Sequence, residues 1–135
     1  MQTVSQKLVP HNLDAEESVI GSILLDGSVA SELSLIPADF HYEQNGMIYA
    51  AAKALGERGI GVDQITIAQE LHEHNKLDTI GGVAHLSHLI SICPTSLDCR
   101  YYAEIVQRLS TYRQMISMAD RIGAIGYEAP ADLAG

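Results

Sequence analysis

The chain has 135 residues, 47% of them hydrophobic, and a mean hydropathy of +0.07, which suits one compact domain with its own core and excludes a disordered segment. Seventeen acidic residues against eight Lys and Arg give a net charge of −9, the wrong sign for a domain whose main work is gripping phosphates. No apolar run approaches the roughly 18 residues of a membrane span, and no lysine follows a glycine, so a Walker-type phosphate loop is absent.

Residues up to about Asn12 lack hydrophobic periodicity and contain Pro10, and read as a mobile arm over 1–11. A helix is predicted from Asp14, which can cap it, with Glu17 completing a capping box and Leu13 as a staple. Its apolar stripe is Ala15, Val19, Ile20, Ile23 and Leu24. A short helical stretch through Val29, Leu33 and Ile36 stops before Pro37. The next helix is predicted over about Glu43 to Glu57, with Met47, Ile48, Ala51, Ala52 and Leu55 on one face and Gly59 and Gly61 ending it. Thr66 with Gln69 forms a capping box before a short helix that buries Ile67, Ala68 and Leu71. No alternating run is long enough for a sheet, so the fold class is all-α.

Two heptad-like seams follow. Val83, Leu86, Ile90 and Cys93 step three, four and three; after the break at Pro94, Ser96 can cap a longer helix to about Ile122. In that helix Tyr102, Ile105, Leu109, Tyr112, Ile116 and Ala119 again alternate three and four. A compact helical subdomain over 12–80 followed by an antiparallel hairpin over 81–127 is the expected architecture. Tyr102, Ile105, Leu109 and Tyr112 are expected in hairpin and dimer packing. Tyr101, Val106, Met115, Met118 and Ile122 lie off the seam and form a surplus apolar face. Each such side chain left in water forgoes about 1.5–3 kcal/mol, so part of that face is expected to meet another protein.

Candidate chemistry is sparse. His72 and His74 point to nearly opposite sides of a helix. His85 and His88, with Cys93 near, are the one pair spaced for a shared metal, but no Glu-x-x-His or His-Glu-x-x-His occurs. Surface or interfacial histidines are the plainer reading, and no metal is expected. No Gly-x-Ser-x-Gly elbow exists, and helix-dipole stabilisation accounts for Glu16 and Glu17. Gly81-Gly82 makes at most a weak anion nest. Cys93 and Cys99 are too few for a disulfide scaffold and read as reduced cytoplasmic thiols. Arg100, Arg108, Arg113 and Arg121, interleaved with Tyr101, Tyr102 and Tyr112, suggest a single-stranded-DNA-contacting module. Yet Asp98, Glu104 and Asp120 lie among them, and residues 1–96 hold twelve acidic groups against four basic. A mixed-charge solvated helix accounts for them better, with little direct DNA binding. A small helical metal-binding protein is the remaining alternative.

The segment Pro10-His11-Asn12-Leu13-Asp14-Ala15-Glu16-Glu17-Ser18-Val19-Ile20-Gly21 resembles the opening of the N-terminal domain of bacterial replicative DNA helicases of the DnaB type. The resemblance continues through Pro37-Ala38-Asp39-Phe40, Ile48-Tyr49, Val62 to Ile67, Leu77 to Gly82, Tyr102 to Val106, Arg113 to Ile116 and Gly126-Tyr127. Departures are His41 in place of a usual aromatic, Asn45 for a common histidine, His85 for a common tyrosine and Gly123 for alanine. The resemblance implies a fragment: residues 128–135 would begin a linker to a RecA-like ATPase domain, not in this chain, that binds ATP and Mg and unwinds DNA. No catalytic residue or cofactor is expected here. The implied partners are the domain itself (a dimer, and a hexamer in the full-length protein), the C-terminal domain of primase, and a helicase loader. His85, Met115, Ile116 and Ile122 are the expected primase contacts.

Overall fold

The computed structural model describes residues 8–134, with side chains through 128. Five α-helices run in order: α1 (Leu13–Leu25), α2 (Glu43–Glu57), α3 (Gln64–Glu73), α4 (Gly82–Ile92) and α5 (Cys99–Ala134). Two 3-10 turns, Gly27–Glu32 and Pro37–Asp39, join α1 to α2. The described residues contain no strand, and the fold is all-α.

The cap of α1 is Asn12 rather than Asp14: its Oδ1 accepts from the Ala15 amide at 3.0 Å. Either residue type can cap, and the chain uses the one that leaves Asp14 inside the first turn, facing the positive end of the helix dipole. Asp63 likewise caps α3 one turn before the expected box, exchanging hydrogen bonds with Thr66 at 2.9 Å in both directions. Gly81 and Gly82 begin α4 at φ of 103° and 73°, where a side chain would strain the backbone.

Helix α1 is the axis of the fold. Instead of one buried stripe it hides Ala15, Glu16, Val19, Ile20, Gly21, Ser22, Ile23 and Leu24, because α2, α4 and α5 all pack around it. Val19, Ile20 and Ile23 are fully enclosed, together with Ile48 and Tyr49 of α2, Ile67 of α3, and Leu86 and Leu89 of α4. Close approach to α4 depends on Gly21, where a Cβ would lie 2.7 Å from Cys93 Cβ and 2.9 Å from the Leu89 carbonyl oxygen. The Tyr49 hydroxyl donates to the Leu35 carbonyl at 3.0 Å, and burial pushes its pKa up to about 12.

Two polar arrangements tie the elements together. The Glu16 carboxylate, buried in α1, accepts from the His41 amide at 2.7 Å, the Tyr42 amide at 3.3 Å and Asn45 Nδ2 at 3.1 Å. Tyr42, the capping residue of α2, has no side-chain cap of its own, so a carboxylate from α1 terminates α2. On the far side Arg58, at the end of α2, forks onto Glu70 of α3 at 2.6 and 3.2 Å, and His74 joins at 3.1 Å. The Arg58 hydrogen bond holds the Glu70 carboxyl below its ordinary range and raises Arg58.

The expected pairing of α4 with α5 as an antiparallel hairpin is not the one adopted. Leu89 and Cys93 meet Gly21 and the Ser18 carbonyl, so α4 runs against α1. Cys99 meets Ser22, while Arg113 reaches Pro10, so α5 also runs against α1. Two helices reversed relative to the same third helix point the same way along it. Helices α4 and α5 are therefore each packed on α1 rather than on one another. Helix α5 continues through residues read from sequence as the start of a linker, to Ala134; Gly135 lies outside the described residues. Of the arm expected over 1–11, residues 1–7 also lie outside them, whereas the Pro10 carbonyl is held by Arg113 Nη1 at 2.8 Å.

Glu16→Gln, which places an amide donor among three donors, should lower the unfolding free energy by about 1–3 kcal/mol in urea titration. The Arg58–Glu70 pair is sensitive to acid: a carboxyl with a lowered folded pKa contributes stability above its ordinary value near 4.5 and loses it as pH falls through the folded value. Thermal unfolding followed from neutral pH into that acid range should show the loss in the native chain and a smaller one in Arg58→Met.

Candidate interaction surface on the long helix

At 100° per residue, α5 presents three stripes. The buried stripe is Cys99, Ala103, Val106 and Ser110, stepping four, three and four, and Arg113 continues it half-buried. Two of its members are polar and are satisfied by specific partners. Ser110 Oγ donates to the buried Asp39 carboxylate at 2.8 Å, whose second oxygen accepts from the Ile36 amide at 2.9 Å. Arg113 donates to the Pro10 carbonyl and, at 2.6 Å, to the Asp39 carbonyl. These bonds fix the place where α5 leaves the helical body.

The expected packing residues Tyr102, Ile105 and Leu109 each stand one residue before a buried position, and Tyr112 before the half-buried Arg113, about 100° round the helix. Tyr102 and Ile105 pack on the margin of the core, Leu109 is half-buried, and Tyr112 is exposed. Sequence periodicity chose the more apolar of two adjacent stripes. The stripe that is buried carries an alanine, a cysteine and a serine, which let α5 approach α1 closely, and its polar ends lower its apparent hydrophobicity.

The third stripe is the distinctive surface. Met115, Met118, Ile122 and Ile125 step three, four and three, and each is about three-fifths exposed: 61, 58, 63 and 65%. They lie on the part of α5 beyond Arg113, about 120° from the buried stripe. From Ser117 to Glu128 every residue is exposed, so no described residue covers the stripe. Met118 and Ile125 extend it beyond the expected partner contacts Met115 and Ile122, while Ile116 is half-buried on another side. The signal for Ile125 was the same three-four spacing, cut short by ending the helix at Ile122.

His85 does not join these residues. It sits half-buried in the first turn of α4, against Gly81, its ring 6.3 Å from that of His88. Because α4 and α5 both run against α1, His85 lies toward the Leu25 end of α1 and Ile122 beyond the Pro10 end. The expected primase contacts thus fall into two separated places.

Of the four arginines proposed for DNA contact, Arg113 is turned inward and Arg100 pairs with Glu32 at 3.6 Å. Among the described residues no group of three or more His, Cys, Asp or Glu is placed to hold a metal ion. Among the described residues no helix is long and apolar enough to cross a membrane. Cys93 and Cys99 are free and buried on either side of Ser22, and burial pushes the Cys99 thiol up.

The structure is an all-helical body built round one central helix, with a projecting helix that carries an exposed apolar stripe. Residues 8–108 match the DnaB-like helicase N-terminal domain, and the chain belongs to that family. It is 38% identical over 127 residues to the replicative DNA helicase DnaC of Bacillus subtilis, covering 92% of this chain and 28% of that protein. The crystal structure of the N-terminal domain of DnaB helicase from Mycobacterium tuberculosis is similar at a TM-score of 0.86 and 34% identity, over 90% of this chain and 85% of that one. A DnaB-like replicative helicase, described with its interactions with primase, is similar at a TM-score of 0.76 and 30% identity, over 82% of this chain and 26% of that one. The chain therefore spans little more than a quarter of the length of its full-length relatives.

Val106→Ala should cost about 1–3 kcal/mol in thermal unfolding of dilute protein, whereas Met118→Ala should stay within about 0.5 kcal/mol.

Proposed function

We propose that this chain is the N-terminal self-association and primase-docking part of a hexameric replicative DNA helicase. The observation that supports it is the Met115, Met118, Ile122 and Ile125 stripe, apolar and uncovered on a helix that projects from the body. A three-four spacing is what two helices need to pack along one another, and a second copy of α5 would offer the same spacing. Burying four such side chains on each of two copies removes enough apolar surface to repay part of the cost of association.

In this reading Tyr112, with Leu109, flanks the self-association face, and Tyr102 and Ile105 steady it from the core side. Met115 and Ile122 serve the paired helices first; primase meets the assembled surface, with Ile116 and His85 as separate contacts. Unwinding, ATP and Mg belong to a RecA-like domain reached through the chain after α5, and this part holds no cofactor of its own. A loader is a further partner, direct DNA contact is minor, and the setting is the bacterial cytoplasm, in keeping with two reduced thiols.

Sedimentation at rising concentration should show a dimer that Met118→Asp with Ile122→Asp returns to monomer without unfolding it. Titration calorimetry with the C-terminal domain of the cognate primase should show binding that the same pair of substitutions weakens. A monomer at all concentrations together with no primase binding overturns the proposal.

A further inference from the structure

The arm and the root of α5 meet at a cluster whose rings can change charge near neutral pH. The His11 ring stacks on that of His41 with centroids 4.4 Å apart and planes 19° from parallel. Tyr42 stands edge-on to both, at 5.7 and 5.0 Å. His11 Nδ1 lies 2.8 Å from the Val9 carbonyl oxygen, an arrangement that places a proton on Nδ1. Immediately beside the stack, Arg113 of α5 donates to the carbonyls of Pro10 and Asp39. The arm is thus attached at two adjacent residues, by a hydrogen bond at Pro10 and by a ring at His11.

We propose that the His11–His41 stack is an acid-operated latch: with neutral rings it holds residues 8–11 on the root of α5, and on protonation it lets them go.

The surrounding charges give the latch its direction. From α5 comes the Arg113 guanidinium, from the arm His11, from the start of α2 Tyr42 and Asn45, from α1 Glu16, and from the preceding turn Asp39. The two carboxylates that would welcome imidazolium ions are already committed. Glu16 accepts from two amides and Asn45; Asp39 accepts from Ser110 and the Ile36 amide. Stacked imidazolium rings would therefore face each other and Arg113 with no free anion between them. Consistent with this, partial burial first, then His11 and Arg113, push the His41 pKa below 6.5, against a smaller upward pull from Glu16. A histidine whose docked-state pKa is lowered takes up protons more readily when released. Docking is fully favoured above the ordinary value near 6.5 and is lost as pH falls through the docked value.

The test follows the full 135-residue chain by NMR, reading the ring titrations of His11 and His41 and the backbone order parameters of Val9, His11 and Asn12. Order parameters near the rigid value of about 0.85 at pH 7.5 should fall below about 0.6 near pH 5.5, while those of α2 stay high. The fall should follow the His41 titration, with a midpoint below 6.5. The double variant His11→Phe with His41→Phe, which keeps a stack with no titratable ring, should keep the arm ordered at both pH values. An arm equally ordered at both in the native chain, or a His41 midpoint at or above its ordinary value, overturns the proposal. So does an acid-induced release that persists in the phenylalanine double variant.

Discussion

A carboxylate enclosed between helices costs several kcal/mol if it is left alone, and Glu16 is not left alone. It sits in the first turn of α1 and takes the free amides at the beginning of α2 as its partners. That exchange satisfies a buried anion and an uncapped helix at once. It also sets where α2 begins relative to α1, and so which faces of Ile48, Tyr49, Ala52 and Leu55 meet Val19, Ile20 and Ile23. Asp39, next to this junction, carries the restraint on to α5 through Ser110, and its carbonyl does so through Arg113. The long helix is thus indexed to the same few polar contacts that start α2.

Much of the fold is legible in the sequence because the apolar residues of α1, α2 and α3 recur at helical spacing with recognisable starts and stops. What escapes is the use of polar and small residues as packing elements. Glu16 reads as an ordinary first-turn acid, and only its distant partners reveal why it is buried. Gly21 and Ser22 read as weak positions in a helix, yet they are where α4 and α5 come closest to α1. Cys99, Ala103 and Ser110 read as the poorer side of α5, yet it is the side that faces the core. Periodicity ranks stripes by hydrophobicity, whereas a helix packed against a central neighbour selects for closeness of approach. The same preference explains why two helices whose seams look made for each other both pack on α1 instead.

The candidate surface was better marked. An apolar residue on the outside of a helix has no local device to hide it, so Met115 and Ile122 stand out in the sequence as they do in the structure. The stripe they share with Met118 and Ile125 was incomplete only because the helix was expected to end sooner. His85 has no such signature, and its separation from the stripe follows from chain direction, which spacing alone does not convey.

The extent of α5 beyond Arg113 has a mechanical side. About twenty residues at 1.5 Å each make a lever of about 30 Å, projecting from the part of α5, Cys99 to Arg113, that packs on the body. A rotation of about 10° where it leaves the body sweeps the far end through about 5 Å, the pitch of one helical turn. The hydrogen bonds of Ser110 and Arg113 therefore act at the fulcrum. Small adjustments among Asp39, Pro10 and their neighbours are amplified into displacements large enough to shift a helix by one register against whatever it touches.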